Sequence, residues 1–387
     1  MINNQSIICI STQDWDDLWT RKQRFMQSFA QQGNKVLYIE SQISFLSFKI
    51  IKSDWKRCLR WLRGPREIEK NLYIATLPPL LPFFQVYISI NKVNNWFILK
   101  LLRSWLKKLK FTNLIFWTYT PYSDYFVGKL GEKLAVYDCV DEFSASQGLV
   151  KVKTVKLLEE KLLKKINLVI VTHEKLLQSK KRFNKNIYLI PNGAEIEHFK
   201  KTSLAKTAVA KEIKKIPKPI IGFIGSIQYW IDLDLIRYIA LKKPKWSIVL
   251  IGPIGRLAKI EKIKSLSNVY LFGKKEYQLL PNYLKAFDVC LNPYKIDEVA
   301  KYCSPLKLYE YLASGKPIVS IDMPEARKFE GLIEVGQDYQ GFLKKIEKIL
   351  DGLPESFERI ESRLKEAEKH SWHSRFSELG KVLKLYL

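Results

Sequence analysis

Ser304-Pro305-Leu306-Lys307-Leu308-Tyr309-Glu310-Tyr311-Leu312-Ala313-Ser314-Gly315-Lys316-Pro317-Ile318-Val319-Ser320 is the stretch on which the reading of this 387-residue chain turns. A Pro in the first turn and a Gly just past the last are the expected start and stop of a helix. Pro317 then leads directly into a run of the kind that forms a buried strand. The N-terminus of such a helix carries unbonded N–H groups and a partial positive charge, so it can receive a phosphate. Lys307 adds a point charge in the first turn. Glu310 lies three residues on and on the same face. It can accept hydrogen bonds from two neighbouring hydroxyls, as a ribose offers. A diphosphate joined to a ribose is the chemistry of a nucleotide-sugar.

Upstream, Gly222-Phe223-Ile224-Gly225-Ser226 ends a predicted strand at 220–225 and precedes a helix starting near Asp232. Glycines there let a diphosphate approach the backbone. Ile251-Gly252-Pro253, Phe272-Gly273-Lys274 and Asn292-Pro293-Tyr294 follow at the spacing of repeated strand–helix units, with strands expected at 248–252, 269–272, 289–292 and 318–321. All of these segments then lie on one edge of one parallel sheet, where ligands bind. The convergence nominates Gly225, Ser226, Gly252, Tyr294, Pro305, Leu306, Lys307 and Glu310 as a donor-nucleotide site.

The first half shows the same alternation. Short apolar runs at 7–11, 36–40, 72–77, 114–119, 135–139, 168–172 and 187–190 read as strands, with amphipathic or charged stretches such as 21–31, 94–110 and 151–165 between them. Continuous apolar strands alternating with helices imply an α/β chain with mostly parallel, doubly wound sheets. Residues 200–219, rich in Lys, Ala and Thr, carry no apolar period and read as a linker. The expected layout is a first Rossmann-like domain at 1–199, a second at 220–355, and a helical tail at 356–387.

This arrangement resembles the two-domain GT-B glycosyltransferases, and the 304–320 stretch resembles the donor-binding helix of their family 4-like members. The resemblance implies two doubly wound Rossmann-like domains facing across a cleft, with the tail crossing back to the first domain. It also implies transfer of a sugar from a nucleotide-sugar, UDP-linked as first guess, to a glycan acceptor. The match is incomplete. Glu310 holds the second of the two glutamates usual in that family, whereas Tyr302 stands in place of the first, which usually contacts the donor sugar. The Arg and Lys that usually follow the Gly-rich turn are replaced by Ile227-Gln228-Tyr229-Trp230-Ile231-Asp232-Leu233-Asp234. Lys307, with or without Arg256, is left to neutralise the diphosphate. Ile190-Pro191-Asn192-Gly193-Ala194-Glu195 resembles the Pro-Asn-Gly turn that ends the first domain in this class.

Two segments of the first domain carry candidate chemistry. Ser11-Thr12-Gln13-Asp14-Trp15-Asp16-Asp17-Leu18-Trp19-Thr20-Arg21-Lys22-Gln23 is an acidic, aromatic loop in an otherwise basic protein. Carboxylates accept hydroxyl protons and indoles cover the apolar face of a sugar ring, so Asp14, Asp16, Trp19 and Arg21 are acceptor-site candidates. Capping of the following helix explains the same residues. Val136-Tyr137-Asp138-Cys139-Val140-Asp141-Glu142-Phe143 places Asp138 and Asp141 around a strand end. The segment is similar to the corresponding part of bacterial exopolysaccharide transferases, including the xanthan glucuronosyltransferase. That likeness makes Asp141 the base that takes the acceptor's proton, with Asp138 beside the acceptor; the alternative is that Asp141 caps the next helix. The histidine found there in many family 4 enzymes is absent. Family 4 likeness favours retention of configuration, while a base at Asp141 favours inversion.

The chain carries 65 Lys and Arg against 39 Asp and Glu, a net charge of +26 that will attract polyanions. No zinc-finger spacing, strand aromatics of the RNA-binding type or Gly-x-x-Gly clamp accompanies that charge, so nucleic acid is not expected as a partner. A nucleic-acid-binding protein and a nucleotide-sugar epimerase of the same fold are the alternative readings. The five cysteines (Cys9, Cys58, Cys139, Cys290, Cys303) are scattered without a C-x-x-C pair, and the four histidines do not cluster with carboxylates, so no disulfide framework, metal or cofactor is expected. The N-terminal residues lack a basic region and run directly into a strand, which argues against a signal peptide.

Residues 71–91 carry one uncharged position after another, but Pro78, Pro79 and Pro82 break the run, so a strand and a greasy surface loop are expected rather than a spanning helix. Around it, Lys49, Lys52, Lys56, Arg57, Arg60, Arg63 and Arg66 interleave with Phe48, Trp55, Leu59 and Trp61. Lys100, Arg103, Lys107 and Lys110 recur at helical spacing, opposite Ile98, Leu101, Leu102, Trp105 and Leu109. Cationic amphipathic segments bordered by Trp suit an anionic lipid surface. The expected acceptor is therefore lipid-linked, and the expected location is cytoplasmic, peripherally attached to the inner face of the cell membrane.

Overall fold

The computed structural model describes residues 2–46, 57, 59–145, 151–352 and 355–387. It divides into two compact units, one of Met1–Pro191 with Arg375–Leu387 and one of Asn192–Ser374. Each is built on its own sheet, and the chain has the doubly wound α/β fold expected for each half.

In the first unit β1 (Ser6–Ile10), β2 (Lys35–Ile39), β3 (Arg66–Glu69), β4 (Leu72–Ala75), β5 (Leu114–Thr118), β6 (Leu134–Cys139), β7 (Leu168–Val171) and β8 (Ile187–Leu189) join in the order β3-β4-β2-β1-β5-β6-β7-β8. Every pairing is parallel except that of β3 with β4. Strands such as Ser-Ile-Ile-Cys-Ile and Leu-Val-Ile-Val are buried along their whole length, as a sheet covered on both faces requires. The connections include α1 (Arg21–Gln31), α2 (Ile88–Lys108), α3 (Val152–Lys165) and α4 (Glu174–Lys180). Strand order reverses between β1 and β5, which opens a crevice at their C-terminal ends.

In the second unit β9 (Ile220–Ile224), β10 (Ser247–Ile251), β11 (Val269–Gly273), β12 (Val289–Asn292), β13 (Ile318–Ile321) and β14 (Glu334–Gly336) form an all-parallel sheet in the order β11-β10-β9-β12-β13-β14. The helices used below are α5 (Leu233–Lys242), α6 (Leu306–Ser314), α7 (Tyr339–Asp351) and α8 (Phe357–Glu368). The reversal here falls between β9 and β12. Residues 200–219 belong to this unit, and Ile213 is buried in its core. Of residues 356–387, α8 belongs to the second unit, where Arg363 donates to the Gly315 carbonyl. Only Arg375–Leu387 joins the first. There Phe376 packs on Phe29, with ring centroids 4.8 Å apart.

The expected strands end within a residue or two of those observed. Two strands lacked a sequence signal. β3 reads Arg-Glu-Ile-Glu and is an exposed edge; charge there blocks further pairing rather than building a core. β14 has only three residues. Among the described residues no helix is long and apolar enough to cross a membrane. The cationic residues expected at 48–56 lie outside the described residues.

Candidate functional site

The second unit's site is built from the ends of β9, β10 and β12 and the start of α6. Pro305 caps α6 in an extended conformation, and Gly315 closes it in the left-handed region at φ 71°. The first N–H groups of the helix have no acceptor within it. Tyr311 fixes the helix against the sheet: its buried hydroxyl accepts the Ile224 N–H at 2.8 Å, at the last residue of β9. The Ser304 and Tyr309 hydroxyls lie 2.8 Å apart, and Tyr309 donates to Glu325 at 2.5 Å. Asn192 donates to the Ser304 carbonyl at 2.9 Å. The residues just ahead of α6 are therefore held from three directions.

Lys307 and Glu310 meet directly, with Nζ 2.5 Å from Oε2. The lysine stem lies against the Gly-rich turn, since a Cβ on Gly225 would sit 3.1 Å from Lys307 Cε. Gly252, at φ 147°, brings its backbone so close to Gly225 that a Cβ would collide with the Gly225 carbonyl oxygen. Ser226 Oγ accepts from the Gln228 amide at 2.8 Å. The Ile227–Asp234 stretch, which departs from the family pattern, is folded back on the sheet edge. Ile231 bridges Tyr294, and Asp232, the cap of α5, accepts from Tyr339 of α7 at 2.8 Å. Gly225, Ser226, Gly252, Tyr294 and the start of α6 are thus all at the C-terminal edge of this sheet. Arg256 follows Gly255 beyond the β10 turn.

The first unit's candidates are arranged differently. Arg21 and Asp138 are both buried and form a two-pronged pair, with Nε 2.8 and 3.0 Å from the two carboxylate oxygens. Arg21 also donates to the Ile190 and Pro191 carbonyls. Burial raises the Asp138 carboxyl above its ordinary value, with Arg21 opposing. The two groups are thus paired with each other inside the first unit, while the second terminal nitrogen of Arg21, Nη2, is buried without a hydrogen-bond partner. Asp14 is similarly occupied, accepting from Ser41 N and Oγ and from Arg57 at 2.5 Å. Asp16 is largely exposed, within 4 Å of Arg60 and Arg66. Trp19 lies between Trp15 and the Arg24 guanidinium. Helix capping also operates as expected, with Gln23 accepting the Thr20 N–H at 3.1 Å.

Asp141 follows β6 and its side chain is exposed, yet the mass of protein around it raises its carboxyl above the ordinary value, against the charge of Lys22. Lys22 is the functional candidate that sequence reasoning passed over. It sits in the first turn of α1, where a second basic residue reads as solvated surface, but it is buried. Its ammonium donates to Gln13 at 3.2 Å and lies 5.8 Å from the Tyr119 ring centre. Burial lowers its pKa, with Asp141 and Asp138 pulling the other way. Beside Asp141, Glu142 accepts from Lys180 of α4 at 2.8 Å, and Lys180 also reaches Glu159 of α3 at 2.6 Å. Tyr137 completes the network by donating to Glu159. Burial works against the Lys180 charge, but Glu159 and Glu142 hold it above its ordinary pKa. The segment carrying Asp141 is anchored from below by this buried trio.

These two strand-end sites sit on the GT-B glycosyltransferase fold. Residues 218–352, about a third of the chain, match the family model described as Glycosyl transferases group 1, and the chain as a whole has the fold of the solved structures named below. Among named relatives, a Bacillus subtilis (strain 168) protein, the teichuronic acid biosynthesis glycosyltransferase TuaH, is 32% identical over 147 residues, covering 37% of this chain and 36% of that protein. The aligned part is thus little more than a third of the relative's length. Sucrose-phosphate synthase from Thermosynechococcus elongatus superposes with a TM-score of 0.74 over 99% of both chains at 15% identity. Anabaena Alr3699/HepE, solved with UDP and glucose, gives 0.69 over 98% of this chain and 100% of that one at 11% identity. At such identities the likeness is one of fold.

Proposed function

We propose that this chain transfers a sugar from a UDP-sugar to a lipid-linked glycan during assembly of a cell-surface polysaccharide. The observation that carries the reading is the Lys307–Glu310 pair in the first turns of α6, set against the glycine turn of β9. In this reading the diphosphate takes the helix N-terminus and Lys307, and the ribose hydroxyls take Glu310. Gly225, Ser226, Gly252, Tyr294, Pro305 and Leu306 shape the surface the nucleotide lies on. An ammonium and helix N–H groups placed at the leaving diphosphate stabilise the charge that develops as the glycosidic bond breaks. A relative solved with UDP and glucose supports a uridine donor, and one named for teichuronic acid biosynthesis supports a wall-polysaccharide acceptor.

On the first unit, Asp141 takes the acceptor proton. It stands exposed just after β6, and the Glu142–Lys180–Glu159 anchor holds its segment. The excess of cations favours attachment to the inner face of an anionic membrane, where a polyprenyl-linked acceptor is held. The deciding experiment is radiolabelled transfer from a panel of UDP-hexoses to a polyprenyl-diphosphate-linked oligosaccharide, with GDP- and dTDP-sugars as controls. Label moving to the lipid phase supports the reading. Epimerised donor with no transfer, or tight binding to duplex DNA with no affinity for nucleotide-sugars, replaces it.

A further inference from the structure

Helix α2 is amphipathic in the wrong sense at its N-terminal half. Asn91, Asn94 and Asn95 are buried, while Val93, Trp96 and Phe97 are each about half exposed. Apolar side chains ordinarily turn inward, so an outward aromatic pair over an inward amide layer marks a surface that meets something other than water. The inward amides have assignments. Asn94 receives the Leu81 N–H and donates to the Leu81 carbonyl, both at 3.0 Å. Asn95 donates to Asn91 and to the Tyr122 carbonyl. Leu81 and Phe83, on the turn so clamped, are themselves exposed. Phe83 adopts φ 62°, a left-handed conformation costly for an aromatic residue and characteristic of functional segments.

The same turn has a second side. Its next residues, Phe84 and Gln85, line a pocket of about 390 Å³ at the strand-order reversal of the first sheet. Ser11 and Thr12 after β1, Ser41 and Gln42 after β2, and Thr120 after β5 supply the remaining polar wall. Gln85 donates to the Tyr122 hydroxyl at 3.1 Å, which ties the turn to the pocket wall. Phe143 and Val155 add apolar surface beside these hydroxyls and amides, and among the described residues no charged side chain lines the pocket. That is the chemistry of a neutral, hydroxyl-rich ligand rather than of a phosphate.

We propose that the outward face formed by Leu81, Phe83, Val93, Trp96 and Phe97 enters an anionic bilayer, and that the pocket behind it takes the terminal sugar of a glycan anchored in that bilayer. The second half rests on the transferase reading above; the first does not. Charge selects lipid over protein as the occupant. No Asp or Glu occurs anywhere from residue 70 to residue 123, whereas Lys92, Lys100, Arg103 and Lys107 all lie on the exposed side of α2. Lys100 sits over the Trp96 ring at 3.6 Å, the juxtaposition that suits a headgroup boundary. The aromatic half supplies burial in the lipid, and the cationic half supplies attraction to its surface.

The test uses the full chain with phosphatidylglycerol and phosphatidylcholine vesicles. Trp96→Ser with Phe97→Ser should lower partition onto phosphatidylglycerol vesicles at least tenfold and abolish the part that survives high salt. Thermal midpoint and UDP affinity should stay unchanged. With a UDP-hexose donor, transfer to a polyprenyl-linked disaccharide in those vesicles should fall in parallel, while transfer to the same disaccharide on an octyl chain should not. Gln85→Ala should instead raise KM for both acceptors several-fold and leave vesicle binding alone. Undiminished vesicle binding by the double variant, or loss of a dimer in its place, overturns the bilayer seat. An unchanged acceptor KM in Gln85→Ala overturns the pocket assignment. If the wild-type chain serves neither acceptor, the transferase reading and the pocket fall together, and the vesicle arm still judges the seat.

Discussion

The two strand-end sites use charge in opposite ways. In the second unit Lys307, partly exposed, and Glu310, largely buried, pair three residues apart on one helix, so their contact ties no two elements together. In the first unit Arg21 with Asp138, and Lys180 with Glu159 and Glu142, are enclosed and hold strands and helices in place. Among the described residues, what this unit presents to its pocket is neutral. A charged ligand needs charges at the surface, whereas a polyhydroxyl ligand needs shape and uncharged partners. The same residue types therefore pair within one helix in one half and join separate elements in the other.

The contrast is broken most directly through stability. Asp138→Ala leaves the Arg21 guanidinium buried without its partner and should cost about 3–5 kcal/mol, read as a shift in the chemical denaturation midpoint of the full chain. Lys307→Ala leaves the largely buried Glu310 without its partner but unties no two elements, and should cost less, about 1–2 kcal/mol. Equal losses from the two would erase the distinction. Next in size is Asp141→Asn, which preserves shape but cannot accept a proton. Turnover should drop about 10²-fold or more, equivalent to about 2.7 kcal/mol in the barrier, while nucleotide affinity and melting temperature hold. Full activity in this variant would move the base elsewhere, with Lys22 the neighbour to examine.

Glu310→Ala sharpens the other half of the comparison. Loss of charge-assisted hydrogen bonds to the ribose should weaken nucleotide binding by roughly 1–3 kcal/mol, measured by calorimetry with UDP, GDP and dTDP. Identical affinities for all three in variant and wild type would remove α6 as the donor site. The smallest effect concerns Glu334, a carboxylate held near Lys345, Lys348 and Arg359. Burial alone would raise its pKa, but these cations bring it to about 2. A depressed folded-state value means the stabilisation is present above the ordinary carboxyl range and lost as pH falls from about 4.5 toward 2. Because water reaches the cations, Glu334→Gln should cost roughly 1 kcal/mol or less at neutral pH. It should also flatten the stability curve over that acid window; an unchanged slope there would refute the assignment.

How far the sequence alone could reach follows the same division. The second unit's elements announce themselves locally: Pro305 and Gly315 bracket α6, and glycines mark the ends of β9, β10 and β11. The site there is assembled from backbone turns whose residue types are dictated by their conformation. The first unit's arrangement depends on pairings 117 residues apart, such as Arg21 with Asp138, and no local pattern distinguishes a buried Asp from an exposed one. Lys22 was unreadable for that reason. In α2 the spacing correctly put Ile98, Leu102 and Trp105 inside, yet the three buried asparagines and the outward Trp96 and Phe97 ran against the hydrophobic rule. Where that rule fails, spacing alone does not place a side chain.

Asn94 offers the Leu81 backbone the same donor and acceptor that a neighbouring strand would, yet it stands on a 21-residue helix about 32 Å long. Mechanically, the turn is a brace: Leu81 is bolted to the helix, Leu80 just ahead of it to the backbone of Ile43 and Phe45 after β2, and Gln85 just beyond it to Tyr122. A segment fastened at three points along six residues holds its shape as a part of the frame rather than as a loop.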